Sequence, residues 1–387
     1  MLWRICVPVF GKKLVKKRRP VLYAVLFIFT VAALFYIGIA QMLGRAPGLD
    51  RLFAVSVREI EAEQYNFTIG RGRVFADMSG AVAAAGSMGV QVFDALGYET
   101  LSELFRMTTP AISSNNGRAV AFDIGGTTAR MFSETEVIAE IDTVGAIVSA
   151  SVNRSGWFTV VTQEGIAVRG VVTVYNNQGL EVFRFYSADG YVLSAEISPD
   201  NRYMAALRLT ETGSQVIFYD LSNYRYAIRL FDFPEEILLQ IRYIGDGNVI
   251  AVSTEAILSI DPSGSSDEIF RFDGSRLGSF FLGDDVFVVH LLYFGVGHSG
   301  SLNAIAPDGS LLGSLITHRD VISICSSGGN IAVLWSDGPA FFTKDFEEIP
   351  HFDAALPFAG VDRLVALGSD VALAANDHSA IVVRTIR

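Results

Sequence analysis

The segment 123–128, with the sequence DIGGTT, has residue types that could bind a phosphate. Glycines allow successive backbone amides to approach an anion, and concave arrangements of N–H groups bind phosphates. A phosphate-binding domain built on such a segment needs long helices around it, and the sequence indicates none after residue 62. The same residues suit a Gly-Gly turn between two strands, so we interpret the segment as a hairpin turn.

Histidines and cysteines do not show a metal-binding pattern. The five histidines, at positions 290, 298, 318, 351 and 378, lack the spacing of HxxxH or HExxH motifs, and the two cysteines do not form a CxxC pair. The sequence also has no GxSxG elbow and no P-loop. We therefore predict no metal site, no cofactor and no catalytic residue. We expect Cys325, within an apolar stretch, to be a small buried hydrophobe.

Charge divides the chain into two parts. The first twenty residues contain seven of the 30 basic residues and no acidic residue, which leaves 23 basic against 41 acidic residues in the remainder. An acidic body repels phosphate backbones, so we predict no nucleic-acid partner.

A long uncharged segment, Val21–Leu43, follows the basic tail. At about 1.5 Å per residue, a helix of this length spans the roughly 30 Å hydrocarbon core of a bilayer. Lys and Arg resist translocation, so we expect a single-pass protein of the cell membrane with its N-terminus in the cytoplasm and its body outside. A cleaved signal peptide is the alternative, but its apolar region would be shorter.

The remainder of the chain repeats itself. A turn residue followed by a short strand rich in small apolar residues recurs eight times, and the mean spacing of about 41 residues is typical of the four-stranded blades of a β-propeller. The eight strands begin at Ala81, Arg118, Trp157, Arg202, Asn248, Asp285, Asn330 and Asp370.

This spacing predicts an all-β, eight-bladed propeller, with seven blades as the alternative because the first two repeats are the weakest. The last repeat lacks a fourth strand, and we predict that residues 64–69 supply it and close the ring, which would remove exposed sheet edges. The predicted domains are a basic cytoplasmic tail (1–20), a transmembrane helix (21–43), a stalk (44–63) and the propeller (64–387).

Three features together resemble one protein family. The turn 123–128, the stretch 170–207 and the basic residues flanking a single apolar span are similar to DUF5711, a family of uncharacterised membrane-anchored bacterial proteins. The resemblance covers nearly the whole chain and is most specific at 170–207. It implies a WD40-like or quinoprotein-like propeller outside a Gram-positive cell. The resemblance implies no catalytic residues, because the family has no assigned reaction.

One loop stands out as a predicted partner-binding surface. In a propeller with this strand order, loops between second and third strands lie on one face, and the loop 291–300 is long and rich in glycine. It carries Tyr293, Phe294 and His298, and loops on a rigid scaffold often carry function. An ordinary variable loop is the alternative.

These observations favour a membrane-anchored extracytoplasmic propeller that acts as a protein-interaction or ligand-binding scaffold at the cell envelope, with a protein or glycan partner. The alternative is an extracytoplasmic hydrolase or lyase that uses acidic residues at the channel mouth. Clustered carboxylates with perturbed pKa values in a central pocket would favour that enzyme. The sequence does not determine the oligomeric state.

Overall fold

The computed structural model describes residues 65, 67–94, 97–165, 168–222, 227–245, 247–293, 299–350, 360–377 and 380–385. The predicted tail, transmembrane helix and stalk lie outside these residues. Within the described ranges, there is no helix with the length and hydrophobicity needed to cross a lipid bilayer.

Eight antiparallel sheets follow one another along the chain, and each contains only strands that are consecutive in sequence. This is the topology of an eight-bladed β-propeller. In blades 1 to 4, the strands are β1 (Val74–Met78), β2 (Ala81–Gly86), β3 (Gly89–Phe93), β4 (Glu99–Leu104), β5 (Pro110–Asn115), β6 (Arg118–Asp123), β7 (Thr128–Ser133), β8 (Val137–Asp142), β9 (Ala146–Val152), β10 (Phe158–Gln163), β11 (Gly170–Tyr175), β12 (Glu181–Ser187), β13 (Tyr191–Ile197), β14 (Tyr203–Leu209), β15 (Gly213–Asp220) and β16 (Ala227–Pro234).

Blades 5 to 7 also have four strands, whereas blade 8 has three. Their strands are β17 (Leu238–Ile244), β18 (Asn248–Ser253), β19 (Ala256–Ile260), β20 (Ser266–Arg271), β21 (Arg276–Leu282), β22 (Phe287–Leu292), β23 (Gly300–Ile305), β24 (Leu311–Thr317), β25 (Val321–Ser327), β26 (Asn330–Trp335), β27 (Gly338–Phe342), β28 (Glu348–Ile349), β29 (Arg363–Gly368), β30 (Val371–Ala375) and β31 (Ala380–Arg384).

The repeated strand of the sequence is the second strand of every blade. These strands are buried almost throughout, as in β2 and β26, whereas fourth strands such as β16 are mostly exposed. Strands buried on both faces read as runs of small apolar residues, which is why the repeat was visible in the sequence. The eight-bladed prediction is confirmed, and the seven-bladed alternative is not needed.

The hydrophobic core is divided into eight clusters, each shared by two neighbouring blades. Val120 of blade 2 and Val160 of blade 3, for example, belong to one cluster, and Val249 of blade 5 packs with Leu207 of blade 4 in another. Alternate residues of a second strand therefore pack against the preceding and the following blade. The cluster that joins blade 8 to blade 1 contains Leu373 and Val82, so the ring closes.

The segment before β1 takes part in this closing cluster. Tyr65, Phe67 and Ile69 are buried with Leu373 of blade 8, and the rings of Phe67 and Phe93 of blade 1 meet edge to face with centroids 5.4 Å apart. The described residues of the segment are not assigned to a strand. The predicted pairing of residues 64–69 with blade 8 therefore stays a prediction.

Antiparallel pairing assigns every turn to one of two faces. Turns between first and second strands, and between third and fourth strands, lie at one end of the blades, which we call the upper face. Turns between second and third strands, and the connections between blades, lie at the other end, which we call the lower face. The first strand of each blade is the inner strand and lines the central channel.

Candidate functional site

A cavity of about 550 Å³ lies on the axis of the ring and opens at the upper face. Its lining comes from seven blades, which only an axial position allows. The walls are the upper ends of inner strands and the turns that follow them, such as Asp77 in blade 1, Arg242 in blade 5 and Ser326 in blade 7. Its size is in the range of small-molecule sites.

At one register position, the inner strands of blades 3 to 5 carry polar residues, whereas those of blades 6 to 8 carry apolar ones. One residue of each inner strand is paired with a second-strand residue that packs toward the following blade. In blades 3 to 5 these inner residues are Ser151, Glu196 and Arg242, and in blades 6 to 8 they are Phe281, Cys325 and Val365. The lining of the cavity itself is mixed, since blades 6 to 8 supply Phe281 and Val365 but also Asp285 and Ser326.

Arg242 is held toward blade 6. Its Nη1 donates to the carbonyl oxygen of Leu282 at 2.6 Å, and its Nη2 donates to Oδ1 of Asp284 at 2.9 Å. Because both bonds point away from blade 4, the guanidinium only partly compensates the charge of Glu196.

Glu196 is partly buried, and desolvation raises the pKa of its carboxyl group to about 7. Arg242 and a hydrogen bond with Ser151 oppose this rise without cancelling it. The carboxyl group thus titrates near neutral pH, which suits a proton donor or a group that binds a cation.

Asp77 is a second carboxylate of this kind. Burial raises its pKa, against the opposing effect of backbone amides, of which the Gly80 N–H donates to Oδ1 at 3.0 Å. Asp284 and Asp285 are exposed at the same mouth, and Arg154 is the second guanidinium in the lining. The lining thus has three carboxyl groups against two guanidinium groups.

The described residues contain no group of three or more His, Cys, Asp or Glu side chains placed to hold a metal ion. Cys325 lies beside the cavity but is 4% exposed, and burial raises the pKa of its thiol to about 12. A thiol with such a pKa is not a nucleophile at neutral pH. The prediction of a buried Cys325 is confirmed.

The glycine-rich segment 123–128 forms the turn between β6 and β7, as predicted. Oδ1 of Asp123 accepts hydrogen bonds from the backbone amides of Thr108 and Thr109, at 2.8 and 2.7 Å. The Gly125 amide donates to the carbonyl oxygen of Ile147 in blade 3 at 2.8 Å. Because these groups already have partners that hold blades 1 to 3 together, the segment has a structural role.

The predicted partner loop lies at the lower face, at the opposite end of blade 6 from the cavity. Tyr293 is 39% exposed, and its backbone amide donates to the carbonyl oxygen of Ser299 at 3.0 Å. Phe294 and His298 lie outside the described residues. Ser299 Oγ is 2.7 Å from Nδ1 of His318, which ties the end of the loop to the end of β24. Partner binding by this loop stays a prediction.

Exposed apolar side chains are concentrated at the same lower face. Among the described residues, eight large apolar residues with at least 39% exposure lie in its turns or at the lower ends of inner strands, whereas the described turns of the upper face have two such residues, Tyr98 and Leu180. The eight are Met88, Ile124, Val144, Tyr191, Ile237, Leu239, Tyr293 and Ile322.

Sequence reasoning missed Glu196 and Arg242. Both were visible as the single charged residue in an otherwise apolar or small inner strand, VLSAEIS and ILLQIRY. A charge in such a strand is costly unless it faces a polar cavity or a partner, and this is the signal that could have identified them.

Comparison with protein families gives one match. The model of DUF5711, described as a family of unknown function, matches residues 59–337. No curated protein matches the chain in sequence.

Solved structures share the fold at low sequence identity. The C-terminal WD40 domain of Sif2 superposes with a TM-score of 0.60 and 11% identity, covering 84% of this chain and 99% of that domain. BamB from Moraxella catarrhalis gives a TM-score of 0.53 and 14% identity, covering 83% of this chain and 96% of BamB. A eukaryotic initiation factor gives 0.52 and 10%, covering 82% of each chain. These similarities show a WD40-like propeller.

Proposed function

We propose that this chain, which belongs to the DUF5711 family, is a membrane-anchored extracytoplasmic β-propeller that binds a protein or glycan partner at the cell envelope. The observation that carries the binding role is the concentration of exposed apolar side chains on the lower face. Such residues are costly to leave in water, and their accumulation on one surface is typical of a protein interface.

Two β-bulges contribute to this surface. The pairing of β17 with β18 skips Leu239, and the pairing of β25 with β26 skips Ile322. A bulge changes the direction of a side chain, and these two residues are 45% and 42% exposed on strands that also contain buried residues such as Leu238 and Ile324. The backbone thus presents apolar side chains to solvent at two separate blades.

Membrane anchoring rests on the sequence. The uncharged segment Val21–Leu43 has the length of a transmembrane helix, and the seven basic residues before it favour retention of the tail in the cytoplasm. The acidic propeller would then lie outside the cell.

Site-specific photocrosslinking in native membranes tests the binding role. A benzoylphenylalanine placed at Leu239 or Ile322 should give a discrete crosslinked adduct. The same group at Leu230 or Leu312, which are similarly exposed on outer strands, should not. Crosslinked product of equal yield from the outer-strand positions, or no product from the lower-face positions, would show that the lower face is not the partner-binding surface.

The second candidate function is a hydrolase or lyase that acts at the channel mouth. The observation that favours it is the raised pKa of two carboxyl groups on inner strands, Asp77 in the lining of the axial cavity and Glu196 in blade 4. The pKa of about 7 at Glu196 suits a general acid at neutral pH. Release of reducing ends from cell-wall polysaccharides that is lost in Glu196→Gln and kept in Asp308→Asn would establish the enzyme. No release by the unchanged protein would exclude it for those substrates.

A further inference from the structure

The axial cavity is distinct from the lower-face surface, and its lining is specific enough to indicate a ligand. Its apolar groups include the ring of Phe281 and the side chains of Ile324 and Val365. Its hydrogen-bonding groups include the amides of Asn115 and Asn116 together with Arg242. An occupant that contacts both kinds of group must have hydrogen-bonding groups and an apolar face.

A sugar ring has these properties. Its hydroxyl groups both donate and accept, so carboxylates, amides and guanidinium groups can all bind them, and its C–H face packs on an aromatic ring. An aliphatic ligand would displace water from the polar groups of the lining without replacing its hydrogen bonds.

The charged groups of the cavity favour some sugars over others. Arg242 is engaged by Asp284 and by the carbonyl oxygen of Leu282, which leaves Arg154 as the second guanidinium of the lining. The carboxylates of Asp77 and Asp285 outnumber this one cation, so the lining has an excess of negative charge. Phosphorylated and acidic sugars would be repelled, whereas a sugar with an ammonium group would be stabilised.

We propose that the axial cavity binds an amino sugar with a free ammonium group, oriented with its C–H face on Phe281 and its ammonium group toward Asp77. Burial raises the pKa of the Asp77 carboxyl group, and a bound ammonium group would supply the missing counter-charge. A lysine side chain of a partner protein carries the same group, so the experiment separates the two sources.

Calorimetry with the full chain in detergent tests the proposal, with glucosamine as the probe. Glucose is the matched neutral ligand, and Nα-acetyl-lysine methylamide represents a lysine side chain. We expect glucosamine to bind at least tenfold more tightly than glucose and more tightly than the lysine derivative. Equal binding of glucosamine and glucose, no binding of either, or preference for the lysine derivative would each overturn the proposal.

Two substitutions locate the site. Asp77→Asn keeps the size of the side chain and its contact with the Gly80 amide, and it should weaken glucosamine about tenfold while leaving glucose unchanged. Asp308→Asn removes an exposed carboxylate in the turn between β23 and β24, outside the lining, and should change neither ligand. If the two variants behave alike, the cavity is not the site. Binding here does not depend on the lower face, so photocrosslinking and calorimetry can fail separately.

Discussion

Nη2 of Arg242 in β17 donates a 2.9 Å hydrogen bond to Oδ1 of Asp284, in the turn after β21, and this pair joins blades 5 and 6 at the edge of the axial cavity. The side chain of Asp284 is 77% exposed, whereas that of Arg242 is 34% exposed. The two partners should therefore contribute unequally to stability.

Arg242→Met should lower the free energy of unfolding by about 2 kcal/mol, because it leaves the carbonyl oxygen of the buried Leu282 without its side-chain donor. Asp284→Asn should cost less than about 1 kcal/mol, because an ion pair with an exposed partner is weak. Urea unfolding of the full chain in detergent measures both. A loss for Asp284→Asn as large as that for Arg242→Met would show that the ion pair, and not the carbonyl contact, holds the blades together.

Glu196 should make stability fall as pH rises from about 4.5 to about 7. Its pKa is raised from 4.5 to about 7 in the folded chain, so the folded state keeps a proton that the unfolded state has lost within this interval. Below about pH 4.5 the carboxyl group is protonated in both the folded and the unfolded state. Above about pH 7 the free energy by which it destabilises the folded chain no longer changes with pH. The free energy of unfolding of Glu196→Gln, measured from pH 4 to pH 8, should lack this part of the slope.

Asp308→Asn is the control for that pH series. Bonds from Ser310 lower the pKa of Asp308, so its contribution is lost at acidic pH and not near neutrality. A difference between Glu196→Gln and the unchanged chain that does not vary with pH between 4.5 and 7 would contradict the assignment of the slope to Glu196.

Phe67→Ala should loosen the closure of the ring. The ring of Phe67 is 8% exposed and packs against Phe75 and Phe93 of blade 1, and loss of a buried Phe side chain costs about 3–5 kcal/mol. Hydrogen exchange should increase in β30 and β31 of blade 8. Phe132→Ala removes an equally aromatic core residue from blade 2 and should leave blade 8 protected. Unchanged exchange in blade 8 for Phe67→Ala would argue against closure by the N-terminal segment.

The predicted membrane orientation can be tested with the two natural cysteines. Cys325 is buried with a raised thiol pKa, so it should not react with a membrane-impermeant maleimide in the folded chain. Cys6, in the predicted cytoplasmic tail, should react only after the cells are permeabilised. Leu180→Cys places a thiol in a turn of the upper face and should react in intact cells. Labelling of Cys6 in intact cells would reverse the predicted orientation.

The local sequence pattern was sufficient for the architecture because each second strand is buried on both faces. The strands that begin near Ala81 and Asn330 read as short runs of small apolar residues between turn residues, and the structure has a second strand at each. The same local reasoning identified the turn at 123–128, since a Gly-Gly pair between two strands specifies a hairpin whatever surrounds it.

The cavity was not accessible to this kind of reasoning. Glu196 and Arg242 lie 46 positions apart in sequence, and neither belongs to a motif. The charge of Arg242 acts on Glu196 only because equivalent positions of successive repeats are brought side by side around the axis. The pKa of Glu196 depends on burial and on the direction in which Arg242 is held, which are properties of three blades together.

The sequence by itself determined the repeat, the number of blades, the strand that each repeat buries and the buried state of Cys325, because these follow from hydrophobic alternation and turn residues within about 41 positions. Only the tertiary structure decided which side chains line the axial cavity, that charged, polar and apolar groups of seven blades meet there, and that Tyr293 lies at the opposite end of its blade. Ring closure sets these relationships, since it joins groups that no local pattern connects.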